Sequence, residues 1–339
     1  MSASGSFAPP GETASDLWVE RSNLNGVILS GVGYGILFTL TFQTLFLLIQ
    51  QPKSKTSWSL IGYISLVFTL ATLGFAGNAK FNQQTYIDDR NIPGGPNAFT
   101  AEFYSEWVNM MSFGSYVLMS WLADGLVLWR FTLIWEKKYW FALFPSLIFL
   151  GSISSSIALL VSMTRPGADF WTQEAVKFGI AYWSLSISLN IILTVLIAGR
   201  IWFTRKRIVQ ALGRQHSGSY ISIAAMLIES ASLYSGWSMV FLICYARNTP
   251  LQNILLPPLG QVQGIAPMLI LFRVAQGRAW SETTLHTTTI SGRRKGNTTI
   301  PLTDLSTTVG GPGNSRDGFK ISVTTESVSQ WDGGKDASV

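Results

Sequence analysis

Residues 26–49 read GVILSGVGYGILFTLTFQTLFLLI, an apolar run without a single charge. Wound as a helix it is about 36 Å long, enough to cross the roughly 30 Å hydrocarbon core of a bilayer. It does not alternate apolar with polar residues, and it is about twice the length of a membrane barrel strand. Residues 57–78 and 141–163 repeat this pattern, again with no charge. Four more runs, 108–135, 178–203, 221–246 and 251–276, carry one or two charges each. The sequence therefore predicts an all-α fold, a bundle of seven transmembrane helices. Composition agrees, with 47% hydrophobic and only 12% charged residues, against about 25% charged in soluble domains.

Residues 1–24 are polar and lack the basic start and short apolar core of a secretory signal. They are expected to form an extracellular or lumenal segment, with the first span acting as the targeting signal. The membrane domain is expected over 25–277. From 278 to 339 the chain turns rich in Ser, Thr and Gly and loses its apolar periodicity. Such a segment buries too little apolar area to offset its ordering entropy, so a disordered tail is expected. Phosphorylation of its hydroxyls would recruit or release partners by adding charge.

Orientation follows from the basic residues between the spans. Segments 51–56, 136–140 and 204–220 hold Lys53, Lys55, Lys137, Lys138, Arg205, Lys206, Arg207 and Arg214. The alternate segments are far longer, yet hold only Arg21, Lys80, Arg90, Arg165, Lys177 and Arg247. The first set is expected in the cytoplasm, which puts the N-terminus outside and the tail inside. Trp58, Trp107, Trp135, Trp140 and Trp202 fall at span ends, where indole rings favour the headgroup zone. The net charge of +6 suits an anionic inner leaflet and needs no nucleic acid to explain it.

The third span contains the stretch WLADGLVLWRFTLIW, residues 121–135. Asp124 lies about 16 Å in from Trp135, near the bilayer middle. Arg130 is close enough to the boundary for its stem to reach the interface. Glu229, in the sixth span, lies at a matching depth of about 14 Å. A carboxylate there costs a few kcal/mol on insertion scales, so each is expected to have a partner. The candidates are Arg130, Arg200 and Arg273, which also suit plain anchoring at helix ends. A cluster of Asp124, Arg130, Glu229 and Arg273 would clamp spans three, six and seven, as a switch or as packing. Pro267 is expected to kink the seventh span and free a carbonyl. A ligand pocket, chosen on depth and chemistry, would involve Tyr116, Trp183, Trp237 and Gln261. Small residues in GSISSSIALL, 151–160, read as a close helix contact.

Three segments taken together, DGLVLWRFTLIW (124–135), IESASLYS (228–235) and GIAPMLILFRVAQG (264–277), resemble a large group of seven-span membrane proteins of basidiomycete fungi. The resemblance covers residues 25–280 and leaves out the tail. It implies a receptor-like topology without implying an activity. It also implies that Asp124, Arg130, Glu229, Pro267 and Arg273 are pattern positions of that group.

Other classes fit less well. The two histidines, His216 and His286, fall outside the spans, so no intramembrane zinc site can be built and no metal or cofactor is expected. There is no Walker loop or nucleophile elbow, and the seventh span has no lysine for a Schiff base. Neither an enzyme nor a retinal protein is expected. The lone cysteine, Cys244, forbids the internal disulfide common in rhodopsin-like receptors. The expected function is a receptor of the plasma membrane, with lipids, an unknown ligand and a heterotrimeric G protein as partners. Trp129, rather than an acidic residue, precedes Arg130, and no Asn-Pro-x-x-Tyr follows in span seven. The alternative is a transporter or lipid-handling protein using Asp124 and Glu229, and a lesser one is a structural membrane protein.

The acceptor NTT at 297–299 tests the orientation. Expressed in its host, the protein should show no endoglycosidase mobility shift at Asn297. A shift places the tail in the lumen and inverts the topology.

Overall fold

The structure, a computed structural model, describes residues 13–50, 55–135, 139–164, 172–212 and 218–293. The basic positions Lys53, Lys137, Lys138 and Arg214, together with His216 and Asn297, lie outside the described residues, as does the expected disorder of 294–339. The described residues contain no strand. Their helices are α1 (Ala14–Ile49), α2 (Lys55–Gln83), α3 (Gly95–Glu102), α4 (Trp107–Ile134), α5 (Tyr139–Met163), α6 (Gln173–Leu212), α7 (Gly218–Ala246) and α8 (Leu251–Arg293). All but α3 are long and apolar enough to cross a membrane, which gives the seven spans read from the sequence. Backbone packing groups residues 1–287 as one unit, which holds all seven, and 288–339 as another.

Two boundaries differ from expectation. Helix α1 begins at Ala14, well before residue 25. A capping box starts it: Thr13 Oγ1 accepts from Asp16 N, and Asp16 Oδ2 accepts from Thr13 N at 3.0 Å. Two of the orphan donors at the helix start are satisfied in this way. At the other end, α8 continues to Arg293, so 278–293, expected in the disordered tail, are helical. No proline follows Pro267 before residue 301 to stop the backbone ladder.

The segment between α2 and α4 also has structure. Helix α2 runs into a π-helical turn, Gln84–Asp88. Gly94 and Gly95 then take φ of 93° and 70°, a region that glycine enters without strain. Pro96, pre-set for the first helical turn, starts α3. Helix α3 packs on α1, where Asn97 Nδ2 donates to the Asp16 carbonyl at 3.4 Å. It roofs one end of the bundle, the end that carries Thr13.

Helix α8 occupies the centre. Within its apolar window 67% of residues are buried, against 22% in α1 and α5. Helix α1 lays Gly26, Ser30, Gly33 and Leu37 along it, at the four- and three-residue spacing of one helical face. Gly26 sits against the Asn253 carbonyl, which Pro257 deprives of its helical donor. Ser30 Oγ donates to the Pro257 carbonyl at 3.1 Å, and Gly33 faces the Gln261 side chain. On another side the Tyr116 ring of α4 lies between Gly74 of α2 and Gly260 of α8, where a Cβ would come within 2.7 and 2.5 Å of it. Ser112 Oγ ties α4 to α2 through the Gly74 carbonyl at 2.5 Å.

Tryptophans divide by depth. Trp58, Trp107, Trp140 and Trp202, at the ends of the apolar spans, are exposed. Of the deeper ones, Trp183 is buried, Trp121 Nε1 donates to Ser156 Oγ at 3.0 Å and Trp237 Nε1 to the Leu255 carbonyl at 3.1 Å.

Gly26→Leu should separate α1 from α8 and cost about 1–3 kcal/mol by overpacking. Gly35→Ala, on the same helix with nothing within 4 Å of its Cβ, should be neutral or stabilising by up to about 1 kcal/mol. Thermal melts of the two variants in detergent check the difference.

Candidate functional site

Asn109, Ser112, Tyr116, Ser120 and Asp124 follow one another down α4 at three- and four-residue intervals, so they share the face turned toward α8. Three cavities lie in series along that face. The first, about 390 Å³, opens at the Thr13 end between α1, α2, α3, α4 and the start of α8. The second, about 70 Å³, adjoins it through Asn78, Tyr104, Asn109, Leu256 and Pro257, and is lined by Tyr116, Trp183 and Gln263. The third, about 30 Å³, shares Gln263 and reaches Asp124, with room for about one water molecule. Below it Phe131, Ile197, Leu227 and Ile270 form an apolar layer.

Asp124 is 3% exposed. Ser186 Oγ of α6 donates to its Oδ2 at 2.8 Å. That uses the only proton of Ser186, so the Tyr234 hydroxyl of α7, 2.8 Å away, donates to Ser186 in turn. Asn190, one turn along α6, hydrogen-bonds the same carboxylate, and Tyr182, one turn back, reaches Ser120 and Gln263. The carboxylate is thus held by neutral donors from α6, backed by α7. Among the described residues it makes no ion pair.

The four charges expected as one cluster are therefore apart. Glu229 and Arg273 do pair, with Oε2 and Nη2 3.7 Å apart across α7 and α8, but their side chains are 72% and 49% exposed on the outside of the bundle. Ser230 and Tyr234, not Glu229, carry the buried face of α7. Arg130 makes no ion pair among the described residues. Six residues along α4 turn it about 120° away from Asp124. The Arg200 guanidinium stacks 5.7 Å over the Trp135 ring, a cation–π contact at a helix end.

The expected pocket residues split likewise. Tyr116 and Trp183 line the second cavity. Gln261 is fully buried and donates through Nε2 to the Tyr116 hydroxyl at 3.0 Å, supporting the wall from behind. Trp237 lies in the packing against α8. Pro267 lines the third cavity, facing Asp124 across it.

Sequence reasoning missed Ser186, Asn190, Tyr234 and Gln263. A signal existed: Tyr182, Ser186 and Asn190 recur every fourth residue within an apolar run, one polar stripe on one helix face. It also missed the asparagines of the first cavity, which fall at span ends where polar residues are ordinary.

Fold and buried core define an integral, multi-pass α-helical membrane protein. No protein-family model matches the chain, and no curated protein matches it.

Ser186→Ala should strip a donor from Asp124 and an acceptor from Tyr234, and lower stability by about 1–3 kcal/mol. Ser188→Ala, exposed on the same helix, should change it by less than about 0.5 kcal/mol. Chemical or thermal unfolding in detergent distinguishes the two.

Proposed function

We propose that the protein is a seven-helix receptor of the plasma membrane rather than an enzyme, with its N-terminus outside and its tail in the cytoplasm. One observation carries this reading: three cavities run in series from the large space at the Thr13 end down the α4–α8 face to Asp124, with Phe131, Ile197, Leu227 and Ile270 packed at the inner end of the series. A series of this kind, widest at the Thr13 end, suits a molecule that enters from that side, is bound, and leaves by the same side. The distribution of basic residues between the spans supports an outside position for the Thr13 end. A ligand in the upper cavities would press on α8. The Asp124 network, which joins α4, α6 and α7 beside Pro267 of α8, would be the element that rearranges. A heterotrimeric G protein at the inner ends is the expected partner, and the resemblance to the receptor-like basidiomycete group supports the same topology.

A second reading has its own support. Asp124 is a buried carboxylate with no cation beside it among the described residues, as a proton or cation carrier would need. Glu229, exposed and paired with Arg273, adds nothing to that path.

The test is nucleotide exchange on Gα subunits of the native host, with the purified protein in vesicles. The receptor reading expects exchange above that of empty vesicles, lowered at least tenfold by Arg130→Ala and altered by Asp124→Asn. Proton flux that Asp124→Asn abolishes, with no exchange on any Gα, replaces it by the carrier reading.

A further inference from the structure

The walls of the first cavity are unusual in what they leave unbonded. Six asparagines line it: Asn23, Asn78, Asn82, Asn97, Asn109 and Asn253. Three of them spend an amide N–H on a backbone carbonyl. Asn82 Nδ2 donates to the Asn78 carbonyl at 2.9 Å, Asn97 Nδ2 to that of Asp16 at 3.4 Å, and Asn109 Nδ2 to that of Tyr104 at 2.7 Å. A carbonyl can only accept, so these bonds fix each amide with its oxygen turned elsewhere. The hydroxyls behave alike. Thr85 donates to the Phe81 carbonyl, Thr100 to that of Pro96 and Tyr86 to that of Glu20. Each of these three amides spends one of its two N–H groups on a helix carbonyl and each hydroxyl spends its only proton there, so the unbonded groups of the wall are weighted toward acceptors.

Two of those acceptors are buried and unmatched. Among the described residues Asn78 Oδ1 and Asn253 Oδ1 have no hydrogen-bond partner, and Asn253 is only 8% exposed. A buried polar atom without a partner costs about 1–3 kcal/mol, so the pair marks a place where a donor is wanted. Among the described residues no lysine or arginine lines the cavity, and the one carboxylate is that of Asp16. Phe81, Tyr86 and Tyr104 add aromatic rings to the wall, which attract cations through their faces.

We propose that this cavity is a binding site for an organic ammonium, a primary amine or diamine. The choice follows from the hydrogen-bond count. A neutral polyol brings as many acceptors as donors, and its lone pairs would meet a wall already rich in them. A carboxylate or phosphate brings acceptors only and faces Asp16. An ammonium group brings three donors and no acceptor, together with the charge that Asp16 and the rings favour. The cavity, about 390 Å³, is within the usual range for small-molecule sites. Pro257, at its floor, leaves the Asn253 backbone carbonyl without a helical donor as well, although Gly26 packs against it. The assignment rests on reading this cavity as a ligand site, and not on what the protein does once it is filled.

The test uses the full-length protein in lipid nanodiscs and an isosteric set of probes: 1,4-diaminobutane, 1,4-butanediol and butanedioate, with spermidine and 2-phenylethylamine added. Binding is read as a saturable rise in melting temperature and a change in tryptophan emission. At least one amine should stabilise the protein saturably, while the diol and the dianion do not. Asn253→Leu and Asp16→Asn should each weaken that amine by about tenfold or more, the scale of a hydrogen bond to a charged group. Since Asn253→Leu alters a buried position, Asp16→Asn at the rim keeps the question answerable if the first variant fails to fold. Equal stabilisation by the diol, preference for the dianion, or silence from all three amines overturns the assignment. The last outcome makes the cavity a water-filled vestibule. Amine binding with no nucleotide exchange on any Gα leaves this site standing and removes the receptor reading, whereas exchange driven by a non-amine does the reverse.

Discussion

Lipid chains solvate leucine about as well as a protein interior does, so expulsion of water contributes little to holding membrane helices together. What remains is close contact and hydrogen bonding, and both converge here on α8. Gly26 and Gly33 of α1 let one helix approach until its backbone meets Asn253 and Gln261. Gly74 and Gly260 admit the Tyr116 ring between α2 and α8, and the Gln261 amide then fixes the phenol. Each contact depends on a missing Cβ on one side and a polar group on the other. A helix buried on every side, as α8 is between Leu259 and Ile265, would elsewhere be expected to be apolar all round. This one keeps two glutamines because its neighbours come close enough to bond them.

The same logic explains the surroundings of Asp124. A carboxylate deep in a bundle can be neutralised by an arginine or held by neutral donors. An arginine brings a second charge that must itself be desolvated, and breaking such a pair leaves an uncompensated charge behind. Ser186, Asn190 and Tyr234 avoid that liability. They also chain the carboxylate of α4 to α6 and α7 through single hydrogen bonds. Bonds of this kind can exchange one at a time beside a cavity the size of a water. The arrangement is thus a joint between helices that can rearrange at low cost, where a buried ion pair would act as a lock.

The seven spans were legible because run length and charge are one-dimensional properties that a bilayer reads directly. Asp124 was legible for the same reason. Its partners were not. Helical geometry states that Arg130 stands about 120° from Asp124 on α4, but it is silent on how α7 is rotated against α4. A turn of one residue decides whether Glu229 or Ser230 faces inward, and the structure takes Ser230. The α1 boundary fell short because a capping box of two polar residues, Thr13 and Asp16, looks like the end of a structured region when only hydropathy is followed. The asparagine wall was invisible for a third reason. Its members come from five helices, and nothing in any one of them marks a cavity until α3 folds over the end.

The cavities, finally, change chemistry with depth in a way that constrains any coupling between them. Acceptors and aromatic rings line the first, Tyr116 and Trp183 the second, and a single carboxylate the third, above an apolar floor. A molecule among Asn78, Asn109 and Asn253 cannot also touch Asp124, since Asn109 and Asp124 stand about 22 Å apart along α4. Any effect of one on the other has to travel through protein. Helix α8 borders all three spaces, at Pro257, Gly260 and Pro267 in turn. Pro257 with its neighbour Pro258, and Pro267 further down, remove rungs of its backbone ladder, so the helix has two places where bending breaks no hydrogen bond of its own. The stretch between them is gripped by Tyr116 of α4, which packs on Gly260 and accepts a hydrogen bond from Gln261. Displacing the upper proline against that grip would move the segment as a lever about Tyr116, and the lower proline, beside Asp124, is where such a movement would be felt.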